Sequence, residues 1–182
     1  MLPMGHSNIF LVGMMGAGKT TVGRALAARM KREFVDTDRL LVDKTGVPVA
    51  TVFEIEGEEG FRRRESDVLE EVCRENGRVI ATGGGIVLAE PNRRLMREHG
   101  TVIYLRARLE SLWERTRHDT SRPLLATPNP KARLAELLKD REPLYREVAH
   151  LIVDSGPQSA STLVNRVLAA LRARESGAAR AP

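Results

Sequence analysis

Gly13-Met14-Met15-Gly16-Ala17-Gly18-Lys19-Thr20 has the residue types and the spacing to hold a polyphosphate. It reads G-x-x-x-x-G-K-[ST]. Glycines let such a loop curl until its backbone N–H groups point inward at an anion. Lys19 can reach the β- and γ-phosphates of a nucleotide, and the Thr20 hydroxyl can hold Mg²⁺. Asp36 and Asp38 stand two apart, so on extended backbone both face one side. One carboxylate suits the coordination shell of a phosphate-bound metal; another can accept the proton of an alcohol that receives a phosphoryl group. The first role falls to Asp36 and the second to Asp38, with a pair of helix-capping aspartates ahead of Arg39 as the alternative.

Arginines supply the remaining candidates. Arg62, Arg63 and Arg64 follow Phe61 on consecutive helix positions, so they point in different directions and make no single patch. One of them can turn inward as a fork for a carboxylate. Arg122, in Arg122-Pro123-Leu124-Leu125, could close over phosphates and neutralise developing charge. Arg141 lies just before a proline, and both it and Arg122 can equally be plain surface. Gly83-Gly84-Gly85 permits a ligand to approach the main chain closely, or simply makes a tight turn. Many phosphate-loop enzymes carry a strand-ending aspartate there for the metal; none stands here, which moves the metal role to Asp36. The histidines at 6, 99, 118 and 150 show no ligand spacing.

These residues need strands and helices to bring them together. Ile9–Val12 is short, apolar and bounded by glycine, as a buried strand should be. Val22, Ala25, Leu26, Arg29 and Met30 recur at helical spacing, so a helix runs from Gly18 to about Lys31. A second strand, Glu33–Val35, ends at the aspartates, followed by a short helix over 39–44 that Gly46 closes. Pro48 starts a helix to about Glu56, the glycines at 57 and 60 punctuate, and a charged helix covers about 61–75. Strands follow at 78–82, 101–105 and 150–153, with helices at 91–98, around Leu109–Trp113, and over 131–141, the last breaking at Pro143. A final helix carries Leu163, Val167, Leu168 and Leu171. Met1–Ser7 reads as a frayed start and 117–130, with three prolines, as a loop or lid. Alternating strands and helices imply an α/β fold, a parallel sheet covered on both faces, with ligands beyond the carboxyl ends of the strands.

Composition sets wider bounds. The 182 residues suit one domain, with 42% hydrophobic and 29% charged residues, ordinary for a soluble globular chain. No apolar run approaches the ~20 residues that span a bilayer, and no secretion signal opens the chain. The lone cysteine, Cys73, allows no internal disulfide, fits a reducing cytoplasm and reads as a small core residue. Net charge is +5, but the arginines are spread along the chain and aromatics are only 4%, so neither a basic stripe nor a stacking platform for nucleic acid is evident.

Taken together, the chain resembles the shikimate kinase family. The resemblance runs from about Ile9 to Leu171 and rests on six stretches in order: G-M-M-G-A-G-K-T-T at 13–21, D-T-D at 36–38, G-E-E-G-F-R-R-R-E at 57–65, T-G-G-G at 82–85, R-P-L-L at 122–125 and R-E-P-L-Y-R at 141–146. It implies a three-layer phosphate-loop NTPase-type fold, nucleoside monophosphate kinase-like with a lid. It implies transfer of the ATP γ-phosphate to the 3-hydroxyl of shikimate, with Mg²⁺, on the route to aromatic amino acids. By the resemblance, Gly16, Ala17, Gly18, Lys19, Thr20 and Thr21 hold the nucleotide phosphates, and Thr20 and Asp36 the metal. Asp38 binds shikimate hydroxyls and acts as base; Arg62 and Arg141 grip the carboxylate; the Gly84 backbone contacts the substrate. Arg122 comes from the lid, Arg115 packs on the adenine, and the loop at 154–158, with Gln158, borders it.

The expected organisation is one kinase domain over 1–172, with a lid at about 117–130 and an acceptor-binding helical region at about 38–65, and a disordered tail over 173–182. A cytoplasmic monomer acting on ATP and shikimate, with no nucleic-acid or membrane partner, completes the expectation. A sugar-acid kinase, such as one acting on gluconate, is the near rival, since it shares the loop and an anionic hydroxylated acceptor. A nucleotide-dependent nucleic-acid-binding module is the distant one.

Overall fold

The computed structural model describes residues 6–179. A five-stranded sheet has the order β2-β3-β1-β4-β5, with every pairing parallel. The strands are β1 (Asn8–Val12), β2 (Phe34–Asp36), β3 (Val79–Ala81), β4 (Gly100–Arg106) and β5 (Leu151–Asp154). Phe10 at the centre pairs with Ile80 on one side and Val102 on the other. The central strands read as nearly unbroken apolar runs because helices cover both their faces. The helices are α1 (Lys19–Met30), α2 (Thr37–Thr45), α3 (Val49–Val72), α4 (Glu90–His99), α5 (Leu109–Thr116), α6 (Pro130–Val148) and α7 (Ala160–Ala179). Leu11, Leu26, Leu69, Ile80, Met96, Ile103 and Leu112 fill the core. Among the described residues, no helix is long and apolar enough to cross a membrane.

Three departures from the sequence reading have physical causes. The helix expected to break at Pro143 continues to Val148. Arg141, Tyr145 and Val148 all lie on its buried face, at 2%, 0% and 0% exposure, and burying them offsets the proline's ~3 kcal/mol penalty. Gly57 does interrupt α3, with φ 71° and ψ −179°, but Gly60 is helical and buried. The tail expected to be disordered is helical as far as Ala179. Its residues beyond Leu171 are mostly exposed, so alanine and arginine helix propensity extends it rather than burial. The end at 180–182 lies outside the described residues, as does Met1–Gly5 of the expected frayed start. Ser7 is tied down: its carbonyl accepts from Arg32 at 2.8 Å.

Cys73 is buried, and its thiol is pushed up to about 12 by that burial, which leaves it inert. His150 Nδ1 accepts the Val102 N–H at 2.9 Å, a structural bond between β4 and the start of β5.

Candidate active site

β1, β2 and β3 are neighbours, and each ends beside the same crevice. The phosphate loop leaves β1. Gly16 takes φ 82°, and a Cβ there would lie 2.9 Å from Thr116 Cγ2, so a side chain is excluded on both counts. Gly18, at φ 95°, caps α1 and turns the loop into the helix, whose first residues are Lys19 and Thr20. Their N–H groups and the helix dipole face the hollow inside the loop. Lys19 Nζ donates to the Gly13 and Met14 carbonyls at 2.6 and 2.9 Å, bracing the loop across its mouth. Burial, opposed by Asp38, pulls the Lys19 ammonium down to about 8. An incoming polyphosphate would raise it again.

Asp36 takes the capping role with one oxygen and leaves the other turned to Thr20. It ends β2 and caps α2: Oδ1 accepts from the Asp38 and Arg39 N–H groups at 3.0 and 3.2 Å. Oδ2 accepts from the Thr20 hydroxyl at 2.8 Å. Asp38 is not on extended backbone as expected, since α2 has already begun at Thr37. The helix turn, rather than strand alternation, aims it at the crevice. Burial, reinforced by Asp36, raises its pKa against the pull of Lys19, Arg122 and Arg62.

Two hollows meet at these aspartates. The smaller, about 190 Å³, is lined by Gly16, Gly18, Lys19, Thr20 and Thr21 of the loop, and by Arg122. The larger, about 540 Å³, is the size of a small-molecule site. Arg62, Glu65, Gly84, Arg122 and Arg141 surround it, under Phe53 and Phe61. Asp36, Asp38, Thr20, Gly84 and Arg122 line both, so a ligand in one would touch a ligand in the other.

The larger hollow is built for an anion with hydroxyls. Arg141 is 2% exposed, yet no carboxylate of the described residues lies within ion-pair distance of it. A buried guanidinium without a counter-ion calls for one from outside. Arg62 packs against Gly85 so closely that a Cβ there would lie 2.1 Å from its Nη1. Its Nη1 donates to Glu65 at 2.9 Å. Glu65 Oε2 and Arg62 Nε are both buried and unpartnered, one acceptor and one donor left open. Burial raises the pKa of Glu65, which is 2% exposed.

Glu65 was not singled out from the sequence, although it sits three residues after Arg62, the spacing at which helix side chains meet. Arg63 and Arg64 turn outward to Glu59 and Glu56. Arg122 donates from Nε to Asp119 at 3.0 Å and stands just ahead of a short 3₁₀ turn, Pro123–Leu125, in the 117–130 segment.

The residues expected around adenine lie apart from both hollows. Arg115 is exposed and bridges the Gly16 carbonyl, at 2.8 Å, to that of Gly156, at 2.7 Å. Gln158 folds back to accept the Gly156 N–H at 3.0 Å. Ala17 is buried, and its carbonyl accepts from Ser155 at 2.7 Å. The loop after β5 is thus fastened to the phosphate loop through Ser155 and Arg115.

Known proteins share this sequence and fold. The family model described as shikimate kinase matches residues 15–172. A shikimate kinase of Nitrosospira multiformis is 59% identical over 84% of this chain and 78% of its own length. The solved shikimate kinase of Acinetobacter baumannii in complex with shikimate superposes with a TM-score of 0.92 at 45% identity, covering 94% of this chain and 96% of that one. A gluconokinase from Sinorhizobium meliloti has a TM-score of 0.59 at 18% identity, covering 96% of this chain and 97% of that one, which shows a shared fold alone. On its motifs, its fold and these relatives, the chain belongs to the shikimate kinase family.

Proposed function

We propose that the protein transfers the γ-phosphate of ATP to the 3-hydroxyl of shikimate. The observation that carries the reading is Arg141, buried with no carboxylate of the described residues in ion-pair reach, lining with Arg62 a hollow that adjoins the phosphate loop. Two guanidiniums meet the shikimate carboxylate, and a neutral analogue would leave them unpaired, which sets specificity. Shikimate hydroxyls fall to Asp38 and the open oxygen of Glu65. Asp38 orients the attacking hydroxyl and accepts its proton; a raised pKa makes it a better base while ionised. Lys19 and the loop N–H groups receive the β- and γ-phosphates, and Arg122 counters the charge on the phosphoryl in flight. Arg115, Gln158 and the 154–158 loop border the adenine.

Mg²⁺ fits the adjoining oxygens of Thr20 and Asp36, hard donors beside the phosphate hollow. Bound there, it would neutralise phosphate charge. The reading further takes 117–130 as a lid that carries Arg122, 38–65 as the acceptor-binding region, and the enzyme as a cytoplasmic monomer. Gluconate carries a carboxylate as well, so an assay of both acids separates them. In a coupled ADP-release assay, shikimate is expected to drive turnover and gluconate to leave only background. Turnover with gluconate and none with shikimate would overturn the assignment.

A further inference from the structure

Tyr145 is fully buried and has no role in the chemistry above. Its ring stacks on Tyr104, with centroids 4.9 Å apart and planes 24° from parallel. The Tyr104 hydroxyl donates to Glu142, which Arg146 also holds, at 2.8 Å. Stacking on Tyr104 orients the Tyr145 ring. Its hydroxyl donates to the Gly84 carbonyl at 2.6 Å. Arg141, one turn earlier on the same face of α6, lies beside the same hydroxyl. A Cβ on Gly84 would lie 3.3 Å from Arg141 Nη1, so all three groups touch.

The Gly84 peptide needs such a hold. Three successive glycines have no side chains to anchor them. Their flanks are fastened: Gly83 N–H donates to Thr37 at 3.2 Å, and the Gly83 and Gly85 carbonyls accept from Ile86 and Leu88, both at 3.1 Å. Between them, the peptide joining Gly84 to Gly85 is held at its carbonyl by Tyr145. That peptide is trans, so its carbonyl and the Gly85 N–H point in opposite directions. Fixing one on Tyr145 fixes the other. Among the described residues, no acceptor takes the N–H of Gly84 or Gly85, and both glycines line the larger hollow.

We infer that Tyr145 is a positioning residue for the acceptor: its hydroxyl locks the Gly84 peptide in place beside the Arg141 guanidinium. The inference rests on the function proposed above. Shikimate then meets donors already in place and does not have to order them. ATP is held chiefly by the phosphate loop, which Lys19 braces on the Gly13 and Met14 carbonyls, while Gly84 only borders that hollow.

Tyr145→Phe keeps the ring and its stacking and removes only the hydroxyl. The expected result is a shikimate KM raised roughly tenfold, with the ATP KM within about twofold of wild type. Tyr104→Phe loses a hydroxyl from the same stack but not the Gly84 bond, and should leave the shikimate KM near wild type. An unchanged shikimate KM in Tyr145→Phe would overturn the inference. So would an equal rise in both KM values, or a matching rise in Tyr104→Phe, since either marks a packing defect. These outcomes are read against a wild type that phosphorylates shikimate; a wild type inactive on shikimate would instead refute the underlying function.

Discussion

Asp38→Asn should lower kcat by ~10²-fold or more while ATP still binds. The amide preserves size and keeps a hydrogen bond to the substrate hydroxyl, but it cannot take the proton. Two further readouts separate this from general damage. Wild-type kcat/KM should fall on the acid side as Asp38 protonates, at a pH above the ordinary carboxylate range, because burial and Asp36 raise its pKa. The variant should lose that acid limb. Stability gives the second sign. A carboxyl whose folded pKa is raised binds more protons folded than unfolded between the two values, so its ionisation at neutral pH works against folding. The variant's Tm should therefore hold or rise. Near-normal turnover would remove Asp38 as the base, and a collapsed Tm would turn the kinetic loss into a folding defect.

The second large effect concerns the carboxylate grip. Arg62→Ala should raise the shikimate KM about thirtyfold or more and change the ATP KM little. Part of that loss is indirect. Arg62 is the ion-pair partner of Glu65, which is 2% exposed, so truncation leaves a buried carboxylate facing the acceptor hollow without its counter-charge. Arg62→Lys is the informative companion. Lysine keeps the charge but cannot fork between Glu65 and a second carboxylate, so it should recover part of the affinity and not all of it. Equal changes in both KM values would contradict the assignment.

Much of this site could be read from the chain because its parts are local. The phosphate loop announces itself through glycines that the loop requires: Gly16 and Gly18 both have positive φ. β4, Gly100–Arg106, is an apolar run between two helical patterns and is visible as such. The parallel sheet follows from the alternation, and with it the meeting of 36–38 with 83–85 at one edge. Long-range pairings were less visible. Nothing in the local sequence sets Tyr145 against Gly84 or Ser155 against Ala17, sixty or more positions away. Pro143 misled for a related reason. Its local cost is real, but the burial that offsets it belongs to residues on either side, seen only once α6 lies on the sheet. At Asp36 the capping reading does not exclude the other, since the cap uses Oδ1 and Oδ2 meets the Thr20 hydroxyl.

The direct test of the central claim is a crystal of the protein grown with ADP and shikimate. The account predicts the shikimate carboxylate within hydrogen-bond reach of Arg62 and Arg141, one ring hydroxyl on Asp38, and the ADP phosphates inside the 13–20 loop beside Lys19. Shikimate seated away from Asp38, or with its carboxylate turned from both guanidiniums, would contradict it.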